Sequence, residues 1–259
     1  MTGSSGHRRV PESFYANLKI PVPPIKVQAQ ICDDFTKVDE GVQSALAKIM
    51  GTQQSIELLV ESIYASKAPR MKIAKLSLAI QYGLSEKMNE AGIGYKIFRM
   101  GEIIQGRMVD NGAMKYIDLS AEEFAKYRLN RGDLLFNRTN GSADLVGKVG
   151  LFDLDGDYCF ASYLVRVAPD TSKVLPQFLL MMMNAPAFRT EVRGKAVKSA
   201  GQININATRM KQTKVPVPSL GEQRLFVSGI EALEKQIADA QAVIDATPAR
   251  KEAVMKKYL

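Results

Sequence analysis

The sequence predicts an α+β protein in which one mixed strand/helix domain is flanked by two long helices that pair as an antiparallel coiled coil. Two observations lead to this prediction: a repeat that brackets the chain, and a middle segment whose strand patterns come before its helix patterns. Strands followed by helices, instead of a regular βαβ alternation, indicate the α+β class. The chain has 259 residues, which is enough for two or three structural units with a proper core.

One segment near the start of the chain occurs again 195 residues later. The proline-rich segment Ile20–Ile25 returns as Val215–Leu220, and Gln28 returns as Gln223. Behind each proline cluster, apolar residues recur in alternating steps of four and three: Ile31, Phe35, Val38, Val42, Ala45, Ile49 and Thr52, continued by Ile56, Leu59 and Ile63, and in the second copy Phe226, Ile230, Leu233, Ile237, Ala240, Ile244 and Thr247. This spacing is the seam of a coiled coil, and proline fixes an extended approach to a helix that it cannot enter.

The repeat and the composition divide the chain into four segments. They are a head with a proline-rich helix entrance at 1–25, a first helix at 26–66, a middle domain at 67–218 and a second helix at 219–259. The head resembles the end of a middle domain whose body is missing, because Ser4-Ser5-Gly6 faces Ser199-Ala200-Gly201 at the same offset. An expression scar at residues 2–6 is the alternative explanation.

The positive charge is concentrated in the middle domain. Residues 66–219 contain 23 lysines and arginines against 14 aspartates and glutamates, a net charge of +9. The remaining residues have 12 against 13, a net charge of −1, which gives +8 for the whole chain. Solubility alone would not require such segregation. A basic domain between nearly neutral helices predicts a polyanionic partner for the domain and protein partners for the helices.

Several classes of function are poorly supported. No apolar run approaches the length of a membrane span and no signal peptide is evident, so we expect a cytoplasmic protein with no membrane partner. Cys32, Cys159 and a single histidine, His7, are too few for a zinc site or a disulfide framework. No cofactor loop or P-loop occurs, and Asp153, Asp155 and Asp157 lack the remaining ligands of a calcium loop. We expect no catalytic residues, no metal and no cofactor.

The middle domain contains recognisable short elements. Strands are expected at 95–100, 114–119, 134–137, 146–151 and 163–167, and helices at 121–126, 177–184 and 187–192. Ser120 and Glu123 form a capping-box pattern before the first of these helices, and Arg131-Gly132-Asp133 predicts a turn.

Three stretches of this basic domain have the side chains that nucleic acid contacts require. They are Gln81–Lys87, Asn137–Ser142 closed by Gly147-Lys148, and Arg189–Lys214. Asparagine and arginine can form paired hydrogen bonds with base edges, while lysine, serine and threonine suit phosphate. The candidate DNA contacts are Tyr82, Ser85, Lys87, Asn137, Arg138, Asn140, Lys148, Lys195, Lys198, Ser199, Gln202 and Asn204. Each stretch alone is equally consistent with a solvated polar turn.

The same residues resemble a known family. The run Gly132–Asn140 with Leu145–Lys148 resembles the signature of target recognition domains in type I restriction–modification specificity subunits. Residues 81–85, Gly201–Ala207 and the Pro-Val-Pro helix entrances are similar to that family too. The resemblance implies a non-catalytic subunit that binds double-stranded DNA and directs methyltransferase subunits and, through the assembled complex, a restriction subunit. It also implies two target recognition domains that alternate with two helices.

The chain departs from this family plan because it carries both helices but one complete recognition domain. Either it is a fragment or truncated product, or two copies form a homodimer that reads a symmetric site. A second class of function stays open: a coiled-coil adaptor or decoy that binds methyltransferase subunits without reading DNA. Because a recurring signature can also serve the fold, we expect Arg138 to hold phosphate or brace its loop instead of selecting a base.

Overall fold

A computed structural model describes residues 10–142, 144–194, 197–199 and 202–259, and of 197–199 and 202 it describes the backbone alone. The chain divides into two compact units. The helical unit consists of Met1–Gln53 and Glu234–Leu259, and the large unit consists of Gln54–Leu233. His7 and the match of residues 4–6 to 199–201 lie outside the residues whose structure is fully described.

The elements follow the predicted order of helix, mixed domain and helix. The helices within the described residues are α1 (Glu12–Asn17), α2 (Ile25–Ala65), α3 (Ala121–Tyr127), α4 (Pro176–Asn184), α5 (Pro186–Arg193), α6 (Ala207–Gln212), α7 (Leu220–Asp245) and α8 (Thr247–Tyr258), with 3₁₀ turns at Ile73–Lys75 and Met100–Glu102. The strands are β1 (Arg70–Lys72), β2 (Ser77–Tyr82), β3 (Tyr95–Phe98), β4 (Ile103–Ile104), β5 (Arg107–Met108), β6 (Lys115–Ile117), β7 (Leu134–Asn137), β8 (Thr139–Asn140), β9 (Val149–Leu151), β10 (Tyr158–Phe160), β11 (Leu164–Pro169), β12 (Val197–Ser199), β13 (Gln202–Asn204) and β14 (Lys214–Pro216).

The helix pairing in the helical unit is antiparallel, as predicted. The Asp34 carboxylate accepts from Lys257 Nζ at 3.0 Å, and the Asp39 carboxylate lies 2.6 Å from Lys251 Nζ. Further along α2, Ala45 borders the same groove as Ala240 of α7. The residues that lie next to α2 therefore have lower and lower sequence numbers along its length, which is the order expected of an antiparallel pair. Ala45 and Ala240 occupy the same position in the two repeats, and both are buried.

The predicted seam positions from Ile31 to Thr52 and from Phe226 to Thr247 are all buried or half-buried. The prediction fails further along α2, where Leu59 is exposed and Val60 is buried instead. Val60 belongs to the main apolar core of the large unit. Packing against that core, and no longer the heptad spacing, decides which face of α2 is buried there.

The second helix is not continuous over 219–259. It consists of α7 and α8, with Ala246 between them. Pro248 lies in the first turn of α8 and has no N–H to donate to the carbonyl of Ile244, so the helical ladder is interrupted at this point. The Thr247 hydroxyl donates to the Val243 carbonyl at 3.2 Å and supplies one bond across the break.

The repeat extends upstream of the prolines into the head. Helix α1 begins and ends 195 residues before α6, and both helices have six residues. The residues that follow α6 form β14, which pairs with β1, and Val215 within it is fully buried. The matching residue in the head, Ile20, is exposed.

The large unit is built around a six-stranded sheet of order β2-β11-β7-β9-β5-β4. Side chains of the central strand β7 alternate between two cores, since successive residues of a strand point to opposite faces. Leu134 and Phe136 pack in the core that α4, α5 and α6 complete, whereas Leu135 packs with Phe98 and Phe160 on the other face. All three β7 side chains are fully buried.

The local predictions for the large unit are confirmed in part. Strand β7 has the predicted bounds, Ser120 and Glu123 form a complete capping box, and Gly132 turns with a φ of 92°. Helices α3, α4 and α5 and strands β3, β6 and β11 lie within two residues of the predicted limits, while β9 occupies only the last three residues of the expected 146–151 strand. The other nine strands within the described residues were not predicted: β1, β2, β4, β5, β8, β10, β12, β13 and β14.

Candidate nucleic-acid interface

Two of the three predicted stretches form one small sheet. Strand β8 follows β7 directly and pairs with β13, with Asn140 opposite Ile203 and Thr139 opposite Asn204. The Thr139 hydroxyl also donates to Asn204 Oδ1 at 2.7 Å, and the Ile205 amide donates to the Arg138 carbonyl. Strand β12 completes the sheet on the other edge of β13. Residues 138–140 and 203–205 are therefore neighbours, although a long segment separates them in sequence.

Asn137 is not available for DNA contact, which corrects its selection as a candidate. Its side chain is 1% exposed, and its Nδ2 donates to the Leu145 carbonyl at 3.2 Å. Its backbone is held as well, by the carbonyl of Lys148 and the amide of Gly147. Through these hydrogen bonds, the buried Asn137 stabilises the loop between β8 and β9.

Asn140 is also part of the fold, with 9% of its surface exposed. Its Oδ1 accepts from the Ser142 amide at 3.0 Å, and its Nδ2 lies 3.4 Å from Met100 Sδ. Asparagine commonly forms such turns through its own side chain. Asn204 is half-buried, and its Oδ1 accepts from the Thr139 hydroxyl, so each of the three asparagines proposed for base contact makes at least one hydrogen bond within the fold.

Two arginines of α5 brace the same loop. Arg193 donates to the carbonyls of Val146 and Asp144, and Arg189 also donates to the Asp144 carbonyl. Burial lowers the pKa of Arg189, and the positive charge of Arg193 lowers it further. Arginine stays charged even so. These side chains add to the net charge of the third stretch, and their recorded hydrogen bonds go to backbone carbonyls of the loop.

The first stretch, Gln81–Lys87, is only partly a loop. Gln81 and Tyr82 end strand β2, and Gly83 follows them directly. A Cβ at Gly83 would lie 2.3 Å from the carbonyl oxygen of Phe160, so this position is tightly packed. Ser85 and Lys87 follow on the surface and are exposed.

Arg138 and Tyr82 are in contact at the end of the central sheet. The Arg138 guanidinium carbon lies 5.1 Å from the centre of the Tyr82 ring, within the range of a cation–π interaction. The Arg138 amide donates to the Tyr163 carbonyl, which extends the pairing of β7 with β11 by one residue. We call Tyr82, Arg138 and Tyr163 the tyrosine–arginine cluster. Tyr163 was predicted only as a strand residue.

Of the remaining candidate DNA contacts, the structure describes the side chain of Lys148 and does not describe the side chains of the others. Lys148 is half-buried at the end of the 137–148 loop. Lys195 lies outside the described residues, and for Lys198, Ser199 and Gln202 only the backbone, in β12 and β13, is described. Among described residues there is no group of three or more metal-binding side chains, and no described helix is long and apolar enough to cross a membrane.

The fold and this surface define a class of protein: a basic α+β domain connected to an antiparallel helix pair. The family described as "Type I restriction modification DNA specificity domain" matches residues 83–245, which is more than half of the chain. The chain belongs to this family.

Individual relatives agree with this assignment. The EcoKI specificity subunit of Escherichia coli K12 is 25% identical over 88% of this chain, and the putative MjaX specificity subunit of Methanocaldococcus jannaschii is 30% identical over 69%. The matches span 54% and 42% of those proteins, so this chain covers about half the length of the relatives it matches. The HsdS subunit of Thermoanaerobacter tengcongensis has the same fold, with a TM-score of 0.63 at 16% identity over 99% of this chain and 64% of its own.

Proposed function

We propose that this chain is a sequence-reading part of a type I restriction–modification specificity subunit. In this proposal residues 67–218 bind double-stranded DNA, and the helices carry the methyltransferase subunits that act at the bound site. The restriction subunit joins through the assembled complex, and the chain itself performs no reaction. The family match over residues 83–245, which covers most of the basic domain, carries the proposal.

The charge distribution supports DNA as the partner of the large unit. Residues 66–219 have a net charge of +9, while the rest of the chain is nearly neutral. Neutralisation of DNA phosphates by lysine and arginine releases counterions, so binding of this kind weakens as salt rises. The relatives are themselves type I specificity subunits, and this supports a role in DNA recognition for the domain that they share with this chain.

The proposal predicts a steep salt dependence of DNA affinity. If about six phosphates are neutralised, the logarithm of the association constant falls with the logarithm of salt concentration at a slope of about −5. Arg138→Ala should weaken binding to cognate and noncognate duplexes alike and reduce the slope by about 1, because a phosphate contact carries no sequence information. Fluorescence anisotropy with labelled duplexes at several salt concentrations measures both quantities.

Lys235→Ala is the matched control, because it removes one positive charge from the helical unit and should change neither affinity nor slope. A flat salt response of the full chain would contradict the proposal and favour the adaptor function. If Arg138→Ala instead changes which sequence is preferred while the affinity holds, Arg138 reads bases and its proposed role is wrong.

A further inference from the structure

We propose that the tyrosine–arginine cluster binds an unstacked nucleobase, that is, a base whose flat face is not covered by its neighbours in a duplex. This inference rests on the proposed function and specifies the ligand of one part of the proposed DNA-binding surface. It concerns three side chains: Tyr82 at the end of β2, Arg138 after β7 and Tyr163 before β11.

The first observation is the exposure of the two rings. Tyr82 is 44% exposed and Tyr163 is 37% exposed. Among the aromatic side chains that the structure describes in residues 54–233, these two are the most exposed to solvent, and the others are buried or half-buried. Other rings of the large unit pack in its cores, as Phe98, Phe160 and Phe178 do. Exposed aromatic rings on a basic domain are what a stacking site requires.

The second observation is their placement by the sheet. In the order β2-β11-β7, Tyr82 is paired with Val165 of the middle strand. Val165 is paired in turn with Phe136, two residues before Arg138. Opposite residues in antiparallel strands share a face, and so do residues two apart in one strand. Arg138 reaches across this face to the Tyr82 ring, and its amide is bonded to Tyr163.

The third observation is the rigidity of the cluster. Tyr82 is followed by Gly83, whose amide donates to the Leu164 carbonyl and whose position admits no side chain against the Phe160 backbone. Arg138 Nη1 lies 3.4 Å from the Ser162 carbonyl, and its Nε is buried without a hydrogen-bond partner among protein atoms. Ordering these groups on a sheet lowers the entropic cost of binding a planar ligand.

The geometry favours an unstacked base over the edge of a paired one. The cluster presents two partly exposed tyrosine rings, and aromatic rings make favourable contact with the face of a base. In a duplex both faces of every base are covered by adjacent pairs, and only the edges are open in the grooves. Edge reading needs directed donors and acceptors, and the asparagines nearest to the cluster are engaged in the fold.

The test compares a perfect 30-base-pair duplex with the same duplex carrying one unpaired 2-aminopurine at its centre. The full chain should bind the second DNA about 5-fold tighter or more, since stacking on an aromatic side chain contributes at this level. The 2-aminopurine fluorescence should also fall on binding, because stacking quenches it. Tyr82→Ala and Tyr163→Ala should each reduce the preference, and the double variant should abolish it.

Phenylalanine variants separate stacking from a hydroxyl contact with phosphate. Tyr82→Phe and Tyr163→Phe should keep the preference, whereas losses equal to those of the alanine variants would overturn the inference. Tyr15→Ala, which removes an exposed tyrosine from the helical unit, should leave both affinities unchanged. Equal affinity of the wild-type chain for the two DNAs would overturn this inference and leave the proposed function intact. Binding to neither DNA would contradict both.

Discussion

Gly83→Ala is expected to destabilise the large unit by about 3 kcal/mol or more, which is the upper range for overpacking a closely packed site. The added Cβ would lie 2.3 Å from the Phe160 carbonyl oxygen and 2.4 Å from that of Ala161. Both are backbone atoms in or beside β10, and no side-chain rotation can move them. The close approach exists because the Leu84 amide donates to the Phe160 carbonyl at 2.9 Å.

Thermal unfolding of the purified variant measures this effect. A loss of about 3 kcal/mol corresponds to a decrease in Tm of roughly 6–12 °C for a domain of this size. Gly101→Ala is the matched control, since a Cβ there meets no atom within 4 Å, and it should leave Tm nearly unchanged. A Gly83→Ala variant as stable as this control would show that the loop is loose and that β2 is not held as described.

Gln223→Ala is expected to destabilise the protein by about 3 kcal/mol or more, because it removes three hydrogen bonds made by a fully buried side chain and leaves a cavity in its place. Gln223 is fully buried, and its Oε1 accepts from the Leu175 amide at 2.8 Å. Its Nε2 donates to the carbonyls of Lys173 and Pro218. The side chain therefore joins the start of α7 to the segment before α4.

The repeat supplies the control for this variant. Gln28 occupies the same position in the first copy and donates to the Pro23 carbonyl at 2.8 Å, just as Gln223 donates to Pro218. Gln28 is exposed, so water can replace the lost bond and Gln28→Ala should cost less than about 1 kcal/mol. Urea unfolding of the two variants measures the difference. Equal losses would contradict the assignment of Gln223 as a buried link.

The helical part of this fold could be predicted because its period and its duplication are both visible in the sequence. The seam from Ile31 to Thr52 is determined by spacing alone, and its second copy confirms the register. The prediction fails where tertiary packing takes over, at Val60, and where the missing N–H of Pro248 divides the second helix. Short strands such as β1 and β14 were not predicted, since each is ordered by a partner far away in sequence.

The composition of the sequence indicated which segments could contain a candidate site, but it could not predict what each side chain does there. The sequence indicated the segments around Arg138 and Asn204 as candidates, and the fold brings these two segments together. It could not show that Asn137 is buried against the Leu145 carbonyl, or that Arg189 and Arg193 bind loop carbonyls. Residue type predicts hydrogen-bonding capacity, whereas the direction of each side chain depends on backbone geometry that appears only after folding.

The central claim is that this chain determines which DNA sequence is modified, and mapping of methylated positions tests it most directly. The full chain would be reconstituted with the methyltransferase subunits of its own restriction–modification system and S-adenosylmethionine, and the methylated bases of genomic DNA would be read genome-wide. We predict methylation confined to one recurring sequence, and no such pattern when this chain is omitted. Methylation at the same positions without the chain, or at positions that share no sequence, would contradict the claim.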